Sequence, residues 1–254
     1  MITELPTKED SKIINFFYFK DEKIIEKLIQ KYEITKEKVL DVGGGSECFF
    51  PLTTDIFDVE FKNINESNEN NNNIKCHKID IDFDKFPFYG RHFNFVYCRH
   101  TLEDIQNPQN AFNEICRVSK CGYIETPSPI VEIMKGVDSF GSSNYVGYCH
   151  HRYIVWSDLE TNTLYFLPKY NFIEFIEFDT NTLQKFRLLL NNTPVYWNNY
   201  YLFDSTRKPN IFVYRNGINF DFNKDYVNII NVAINKSIEY TNDFISKLGV
   251  NDVV

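Results

Sequence analysis

The sequence predicts an α/β protein with one seven-stranded, mostly parallel sheet, an antiparallel strand near its edge and helices on both faces. Three observations predict this fold class. Short apolar runs alternate with helical segments over residues 39–130, as in parallel sheets built from strand–helix–strand units. The first run leads directly into the glycines Gly43 to Gly45. Two later runs, residues 200–203 and 211–214, have the pattern of an antiparallel edge pair.

Composition and charge limit the classes of function. The 254 residues are enough for one large domain with a sizeable core. The net charge of −8 argues against general binding to nucleic acid or to an anionic membrane, because both need a basic surface. No apolar run approaches the roughly 20 residues of a membrane span. Met1–Ser11 is polar and of mixed charge, so we expect no signal peptide there and a cytoplasmic protein.

The cysteines do not form a recognisable framework. Six cysteines are scattered along the chain, and no two have the spacing of a CxxC pair. Cys149, His150 and His151 are adjacent and suggest metal binding, but no second pair lies at zinc-like spacing. We therefore expect reduced thiols and no metal centre.

The glycine turn predicts a ligand site at the end of the first strand. Val39, Leu40 and Val42 form a short buried strand, and Asp41 lies within it. Glycines permit positive φ and carry no Cβ, so the backbone after this strand can approach a ligand closely. Ligands of open α/β sheets bind at the carboxyl ends of the strands. An ordinary loop is the alternative interpretation of the same glycines.

A second acidic residue follows at the distance expected for a ribose-binding group. Residues 55–61 read as the second strand, and Asp58 lies near its end. An acid about 20 residues after the glycine turn accepts hydrogen bonds from ribose hydroxyls in nucleotide-binding folds. Glu60 is the alternative for this role. Pro51 interrupts the intervening segment and predicts an abbreviated first crossover.

The remaining elements complete the predicted fold. Residues 63–73 are polar and rich in asparagine, which predicts a loop. The periodicity predicts helices at 9–33, 108–119, 182–190 and 224–248, strands at 74–81, 93–98 and 122–127, and a hairpin of 153–156 with 163–167. Residues 130–149 show little periodicity and predict a loop on the substrate side.

The ordered segments VLDVGGG, DIFDVEF, DIDFDKFPF, FNFVYCRHTLEDI and NPQNAFNEICRVSKCGYIETPSP resemble class I methyltransferases that use S-adenosylmethionine. The branch they resemble most is methyltransferase type 11-like. This resemblance covers residues 36–130 well and 150–215 loosely, and His151-Arg152-Tyr153 matches an H-R-W/Y segment of a smaller subset. It implies a Rossmann-like sheet and S-adenosylmethionine as the cofactor. We expect one domain over residues 1–254, with a cofactor-binding half at 36–130, a substrate-side insert and closing strands at 131–215, and a C-terminal helix at 224–248.

The resemblance also implies roles for individual residues. Asp41, Gly43 and Gly45 would hold the methionine part of the cofactor, and Asp58 would hold the ribose. The remaining implied contacts are Asp82 with the adenine amino group, Phe83 with the adenine ring, and Cys98, Arg99 and His100 beside the sulfonium. The sequence departs from the family pattern in three ways: Ser46-Glu47 replaces the third motif glycine, the first helix is shortened, and Asp104 replaces the final histidine of the HhLEH run.

Methyl transfer needs in-line alignment and in some cases a base. His100 is the first candidate base, because an imidazole titrates near neutral pH; a structural role at the strand end is the alternative. His151, with His150 beside it, is a second candidate on the substrate side, although an exposed loop is the favoured interpretation of both histidines. Glu125 ends a strand and would orient the substrate.

The predicted function is S-adenosylmethionine-dependent methyl transfer to an oxygen or nitrogen of a small molecule or sugar. The alternative is a methyltransferase-like, non-catalytic module that acts as a binding or partner subunit. Neither nucleic acid nor a membrane is an expected partner, and the sequence predicts no oligomeric state.

Overall fold

The computed structural model describes residues 22–45, 50–60, 74–138, 144–207, 209–214 and 222–250. The strands are β1 Val39–Val42, β2 Asp55–Asp58, β3 Lys75–Lys78, β4 Phe93–Arg99, β5 Ser119–Pro127, β6 Tyr153–Asp158, β7 Thr163–Pro168, β8 Asn198–Asp204 and β9 Asn210–Val213. The α-helices are α1 Glu22–Lys31, α2 Pro108–Val118, α3 Pro129–Glu132, α4 Thr180–Asn192 and α5 Val227–Leu248.

Six strands form the central sheet of the described residues, in the order β3-β2-β1-β4-β5-β8. The first five are parallel to their neighbours, and β8 runs antiparallel to β5 at the edge. A mostly parallel sheet with an antiparallel edge strand is therefore confirmed, with six strands in place of the seven expected. The strand order reverses beside β1, because β2 pairs with one side of β1 and β4 with the other. This reversal is the topological switch point where open α/β sheets bind ligands.

A second, three-stranded sheet holds the later strands. The predicted hairpin is confirmed as β6 and β7, and β9 joins β7 in parallel. The predicted pairing of residues 200–203 with 211–214 is wrong, because β8 lies along β5 and β9 lies in the second sheet. Their burial explains the separation. Strand β8 is almost entirely buried, as a strand covered on both faces must be, whereas every second residue of β9 is exposed.

Helices cover both faces of the central sheet, as predicted. Phe112 of α2 contacts Tyr201 and Phe203 of β8. Phe244 of α5 stacks on Tyr200, with 4.5 Å between the ring centroids. Because successive residues of a strand point to opposite faces, these contacts place α2 and α5 on opposite sides of the sheet. Buried apolar residues of both sheets form one continuous cluster, and the single-domain organisation stays a prediction.

The helix boundaries follow from local capping. Helix α2 begins with proline after Asn107, whose side chain accepts a hydrogen bond from the backbone N–H of Asn110. Helix α5 ends at Gly249, which has a left-handed φ of +68°. Helix α1 confirms the second half of the helix predicted at 9–33, whereas residues 9–21 lie outside the described part.

Two other expected segments are only partly described. The segment 46–49 and the asparagine-rich tract 63–73 lie outside the described residues. The described end of the first crossover, from Phe50 to Thr53, is a turn closed by a 3.2 Å backbone hydrogen bond between those two residues. No helix of the described ranges is both long and apolar enough to cross a membrane.

Candidate active site

A cleft of about 310 Å³ opens at the carboxyl ends of the first four parallel strands, within the size range of small-molecule sites. Four carboxylates line it, those of Asp58, Asp80, Asp82 and Asp104. Val59, Ile81 and Ile105 provide apolar wall, while Gly43, His100 and Arg152 also line the cleft. The cleft therefore combines apolar surface with a dense negative charge.

The glycine turn forms one wall of the cleft, and its geometry requires glycine. Gly43 has a φ of +77°, and a Cβ there would lie 2.1 Å from Oγ1 of Thr101. The Thr101 hydroxyl in turn donates to the carbonyl of Val42 at 3.2 Å. The loop after β4 therefore packs directly against the glycine turn, and any larger residue would separate the two.

Asp58 lies at the end of β2 and contacts the glycine turn. Its Oδ2 accepts a 2.9 Å hydrogen bond from the backbone N–H of Gly45. Its Oδ1 accepts one from the backbone N–H of Glu60 at 3.1 Å. Each carboxylate oxygen retains a lone pair, so Asp58 can still accept from a ligand diol. The side chain of Glu60 is exposed and is not part of the cleft wall, which favours Asp58 over the alternative.

Asp82 lines the cleft beside the start of helix α2. Its Oδ1 accepts a 2.6 Å hydrogen bond from the backbone N–H of Asn107, the capping residue of that helix. Phe83, predicted to cover the adenine ring, is 65% exposed and lies outside the cleft wall. Ile81 and Ile105 are the apolar residues that the cleft presents near Asp82. The adenine-contact roles of Asp82 and Phe83 stay predictions.

Two predicted cofactor residues lie beneath the cleft. Asp41 is buried within β1, and a Cβ on Gly44 would lie 2.8 Å from its carboxyl carbon. Cys98 is buried in β4, and this burial raises the pKa of its thiol well above the usual range. Neither side chain is part of the cleft wall, and their predicted contacts with the cofactor stay predictions.

His100 is the histidine that lines the cleft, with 28% of its side chain exposed. Its Nδ1 lies 3.4 Å from Glu103 Oε1, and its Nε2 lies 3.4 Å from Glu125 Oε1. Burial lowers the pKa of His100, but the two carboxylates outweigh this effect and hold the pKa above its ordinary value. Its φ of +49° is uncommon for a residue other than glycine, and its backbone N–H donates to the backbone carbonyl of Glu125 at 2.9 Å.

Glu125 and Arg99 form a buried ion pair behind His100. The guanidinium Nε of Arg99 donates to Glu125 Oε1 at 2.7 Å, and the hydroxyl of Tyr123 donates to Oε2. Burial alone would raise the pKa of Glu125, but Arg99 and His100 lower it to about 2. Neither Glu125 nor Arg99 lines the cleft. Glu125 contacts both Arg99 and the imidazole of His100, and the predicted roles of Glu125 and Arg99 stay predictions.

His151 belongs to a different buried network. Its Nδ1 lies 2.6 Å from Glu132 Oε1, and the other oxygen of Glu132 accepts from Lys169 Nζ at 2.7 Å. Burial opposes ionisation of Glu132, yet Lys169 and His151 bring its pKa down to about 2. The acids around His151 raise the pKa of its imidazole against the effect of burial. His151 is not part of the cleft wall. Its Nε2, however, lies 3.8 Å from Oδ1 of Asp104, and Asp104 lines the cleft.

Asp104 connects this network to the cleft. Burial is the main reason why its pKa rises to about 6, although His151 works in the opposite direction. Its backbone carbonyl accepts a 2.9 Å hydrogen bond from Nε of Arg152, the cation of the cleft wall. Asp104 therefore stands where the family pattern has histidine, and it lies close to His151, a histidine from another segment.

The sequence analysis missed several residues of the site. Thr101 and Glu103 lie in the loop after β4, where only their place beside His100 could have indicated a role. Glu132 and Lys169 carry no sequence signal, because their pairing is visible only after the chain has folded.

An open parallel sheet with a glycine turn, an acid after β2 and a cleft at the switch point is typical of nucleoside-binding α/β proteins. Residues 16–132 match the family model described as a methyltransferase domain. This match, over just under half of the chain, supports a class I methyltransferase family with S-adenosylmethionine as the cofactor.

Several solved structures share part of this fold. The YcgJ protein from Bacillus subtilis is 19% identical, with 42% of this chain and 52% of that chain covered and a TM-score of 0.35. A SAM-dependent methyltransferase from Aquifex aeolicus is 20% identical, with 48% of this chain and 75% of that chain covered and a TM-score of 0.36. An S-adenosylmethionine-dependent methyltransferase from Clostridium acetobutylicum is 12% identical, with 45% of this chain and 54% of that chain covered and a TM-score of 0.39. The chain thus spans about half the length of the B. subtilis protein. No curated protein matches the sequence.

The residues of the cleft fit S-adenosylmethionine. The glycine turn leaves no room for a Cβ at Gly43 and exposes backbone to the cleft. Asp58 keeps acceptor capacity for two hydroxyls, and the apolar side chains at positions 81 and 105 provide a surface for a flat ring. The carboxylates of the wall suit a ligand that carries a sulfonium and an ammonium group.

Proposed function

We propose that this protein is an S-adenosylmethionine-dependent methyltransferase that transfers the methyl group to an oxygen or nitrogen of a small molecule or sugar. The observation that carries this proposal is that Gly43, Asp58, Asp82 and His100 line one cleft at the switch point of the sheet. When bound, the cofactor supplies a methyl group activated by its positively charged sulfur. The protein then needs to hold both reactants in line and to receive a proton from the acceptor.

Asp58 and Asp82 are the proposed groups that fix the cofactor. Asp58 is itself fixed by backbone N–H groups at 2.9 and 3.1 Å, so its free lone pairs have a defined direction for a ribose diol. Asp82 is fixed by the 2.6 Å hydrogen bond from Asn107, which leaves its second oxygen for an amino group. Acids held by backbone donors lose little entropy when a ligand binds.

The charge of the cleft supports a neutral or cationic acceptor. Four carboxylates and one arginine line it, so an anionic acceptor would meet net repulsion. Hydroxyl and amino groups, by contrast, donate hydrogen bonds that carboxylates accept. Sugar hydroxyls and small-molecule amines are the acceptors with this chemistry.

His100 is the proposed base. The carboxylates of Glu103 and Glu125 each lie 3.4 Å from a ring nitrogen and would stabilise the imidazolium that forms when the proton is accepted. Because each nitrogen faces a carboxylate, the ring has to turn for its lone pair to reach the acceptor. A neutral imidazole is required at the start, because only that form has a lone pair to accept the proton.

Calorimetry with S-adenosylmethionine and its demethylated product tests the proposal, and Asp58 gives the sharpest variant. We expect Asp58→Ala to weaken binding by roughly 30- to 1,000-fold, because two hydrogen bonds to a charged acceptor contribute about 2–4 kcal/mol. Asp58→Asn should weaken binding less, since one acceptor oxygen remains.

Glu60→Ala is the matched control, because Glu60 is an acid two residues away whose side chain lies outside the cleft. The assignment predicts that Glu60→Ala binds the cofactor with wild-type affinity and that the affinity of Asp58→Asn lies between those of wild type and Asp58→Ala. Equal affinity of Asp58→Ala and wild type would remove Asp58 from the site. Cofactor binding without transfer to any compound in a screen of amines, alcohols and sugars would favour the non-catalytic alternative.

The rate of methyl transfer should depend on pH through His100. The base acts when neutral, so kcat/KM should rise with pH, with a midpoint above the ordinary histidine pKa of about 6.5, because Glu103 and Glu125 raise the pKa of His100 against burial and Arg99. Glu103→Gln removes one of these carboxylates and should move the midpoint to lower pH. A pH–rate profile of both proteins checks this, and a midpoint that does not move in Glu103→Gln contradicts it.

A further inference from the structure

A cluster of potential metal ligands lies at the border of the cleft. Asp104 from the loop after β4 meets His150 and His151, and the ligand atoms of the three side chains all lie within 4.8 Å of one another. Two imidazoles and one carboxylate are a ligand set that zinc and related divalent transition metals bind. The adjacent histidines suggested metal binding in the sequence, but Asp104 is remote from them in the chain, so the sequence did not indicate the third ligand.

One ligand of the cluster is already oriented by a buried carboxylate. The side chain of His151 is 4% exposed, and its Nδ1 is 2.6 Å from Glu132 Oε1. Lys169 binds the second oxygen of Glu132 at 2.7 Å. With Nδ1 engaged in this way, Nε2 is the free ring nitrogen, and it lies 3.8 Å from Asp104 Oδ1. Histidine ligands of metals are commonly held by a carboxylate on the opposite ring nitrogen in this manner.

The cationic groups near Asp104 and the adjacent Glu103 are histidines: His151 Nε2 lies 3.8 Å from Asp104 Oδ1, and His100 Nδ1 lies 3.4 Å from Glu103 Oε1. Within the described part of the chain, Oδ1 of Asp104 is buried and accepts no hydrogen bond, and the same holds for both carboxylate oxygens of Glu103. A buried carboxylate oxygen without a partner is costly. Lys169 is engaged by Glu132, so its charge does not offset these two acids. A divalent cation beside Asp104 would offset them.

We propose that Asp104, His150 and His151 bind a divalent transition-metal ion of the zinc type. Bonds of about 2.0–2.2 Å to a tetrahedral ion require ligand atoms roughly 3.3 Å apart, so the present cluster has to contract by an ångström or so. His150 is exposed, and its ring can turn to make this adjustment. Three protein ligands leave a fourth position open, and Asp104 places the ion at the wall of the cleft. The proposal does not depend on methyl transfer.

A second set shares one of these ligands. Asp138, Cys149 and His150 also have ligand atoms within 4.8 Å of one another. Cys149 and His150 are both exposed, and Asp138 accepts a 3.1 Å hydrogen bond from the backbone N–H of Cys149. In the first set, the buried carboxylate of Glu132 orients the ligand His151. Among the described residues, no such buried carboxylate is seen for the second set. The observations therefore favour the first set.

Titration of the chelator-treated full chain with Zn²⁺ by calorimetry tests the proposal, with Co²⁺ absorption as a report on ligand geometry. We expect one ion per chain. His150→Ala changes an exposed side chain and Asp104→Asn is isosteric, so both variants should fold, which circular dichroism checks. Each should lower Zn²⁺ affinity at least tenfold, in line with the loss of one ligand of three. Cys149→Ser is the matched control and should bind as wild type does.

Two results would overturn the proposal. The first is a wild-type chain that takes up no stoichiometric Zn²⁺, or one whose binding is the same in His150→Ala and Asp104→Asn. The second is binding that is lost in Cys149→Ser and retained in Asp104→Asn, which would assign the ion to the other set.

Discussion

Replacing His100 with alanine is expected to lower kcat for methyl transfer by about 10²–10⁴-fold, the usual contribution of a positioned acid–base group. The imidazole lines the cleft and is held between two carboxylates at 3.4 Å each. Neither carboxylate side chain lines the cleft, so neither can replace it as the base. Cofactor affinity should change little, because the glycine turn does not depend on the side chain of His100, whereas Tm should fall, because the buried carboxylates of Glu103 and Glu125 lose the imidazole between them. Steady-state kinetics with an acceptor identified by screening, together with calorimetry, measure these quantities.

The left-handed backbone at His100, with φ of +49°, calls for a second variant. Asparagine tolerates this conformation better than most residues, so His100→Asn separates loss of the base from a change in the backbone. It should be as slow as His100→Ala if the imidazole is the base. His100→Gln would keep part of the activity if the side chain only holds the acceptor hydroxyl. Wild-type kcat in His100→Ala would assign His100 a structural role and direct attention to His151.

Replacing Lys169 with methionine is expected to destabilise the fold by about 3–5 kcal/mol, the usual effect of leaving one buried charge without its partner. The side chains of Lys169 and Glu132 are 6% and 1% exposed, and their atoms are 2.7 Å apart. Lys169 also donates to the carbonyl of Tyr148 at 2.7 Å, so its loss leaves a carboxylate and a carbonyl without this donor. The free energy of unfolding in urea, measured at neutral pH, checks this.

Lys247→Met is the matched control, since Lys247 is an exposed lysine that forms its ion pair with Asp243 on the same helix. It should unfold at nearly the wild-type urea concentration, because exposed ion pairs contribute little. Adding Glu132→Gln to Lys169→Met removes the uncompensated charge and should recover part of the loss. Equal stabilities of Lys169→Met and Lys247→Met would show that the buried pair is not important for the fold.

The sequence by itself determined the part of the molecule that is encoded locally. The run from Val39 to Val42 is apolar and leads into glycines, and it forms a buried strand followed by a turn that has positive φ at Gly43. Asp58 could be placed at the cleft because it ends the next strand, and parallel neighbours end at the same edge of a sheet. His100 could be placed for the same reason, since it directly follows β4.

Only the tertiary structure decided which distant segments meet. Strands β8 and β9 have similar local patterns, and their partners β5 and β7 lie far away in the chain, so the alternation of residues did not specify the pairing. The same holds for the contacts of Arg99 with Glu125 and of Glu132 with Lys169. Periodicity reports which face of an element is buried, whereas the partner across that face is set by long-range packing. The meeting of Asp104 with His151 at the border of the cleft was therefore decided by the fold.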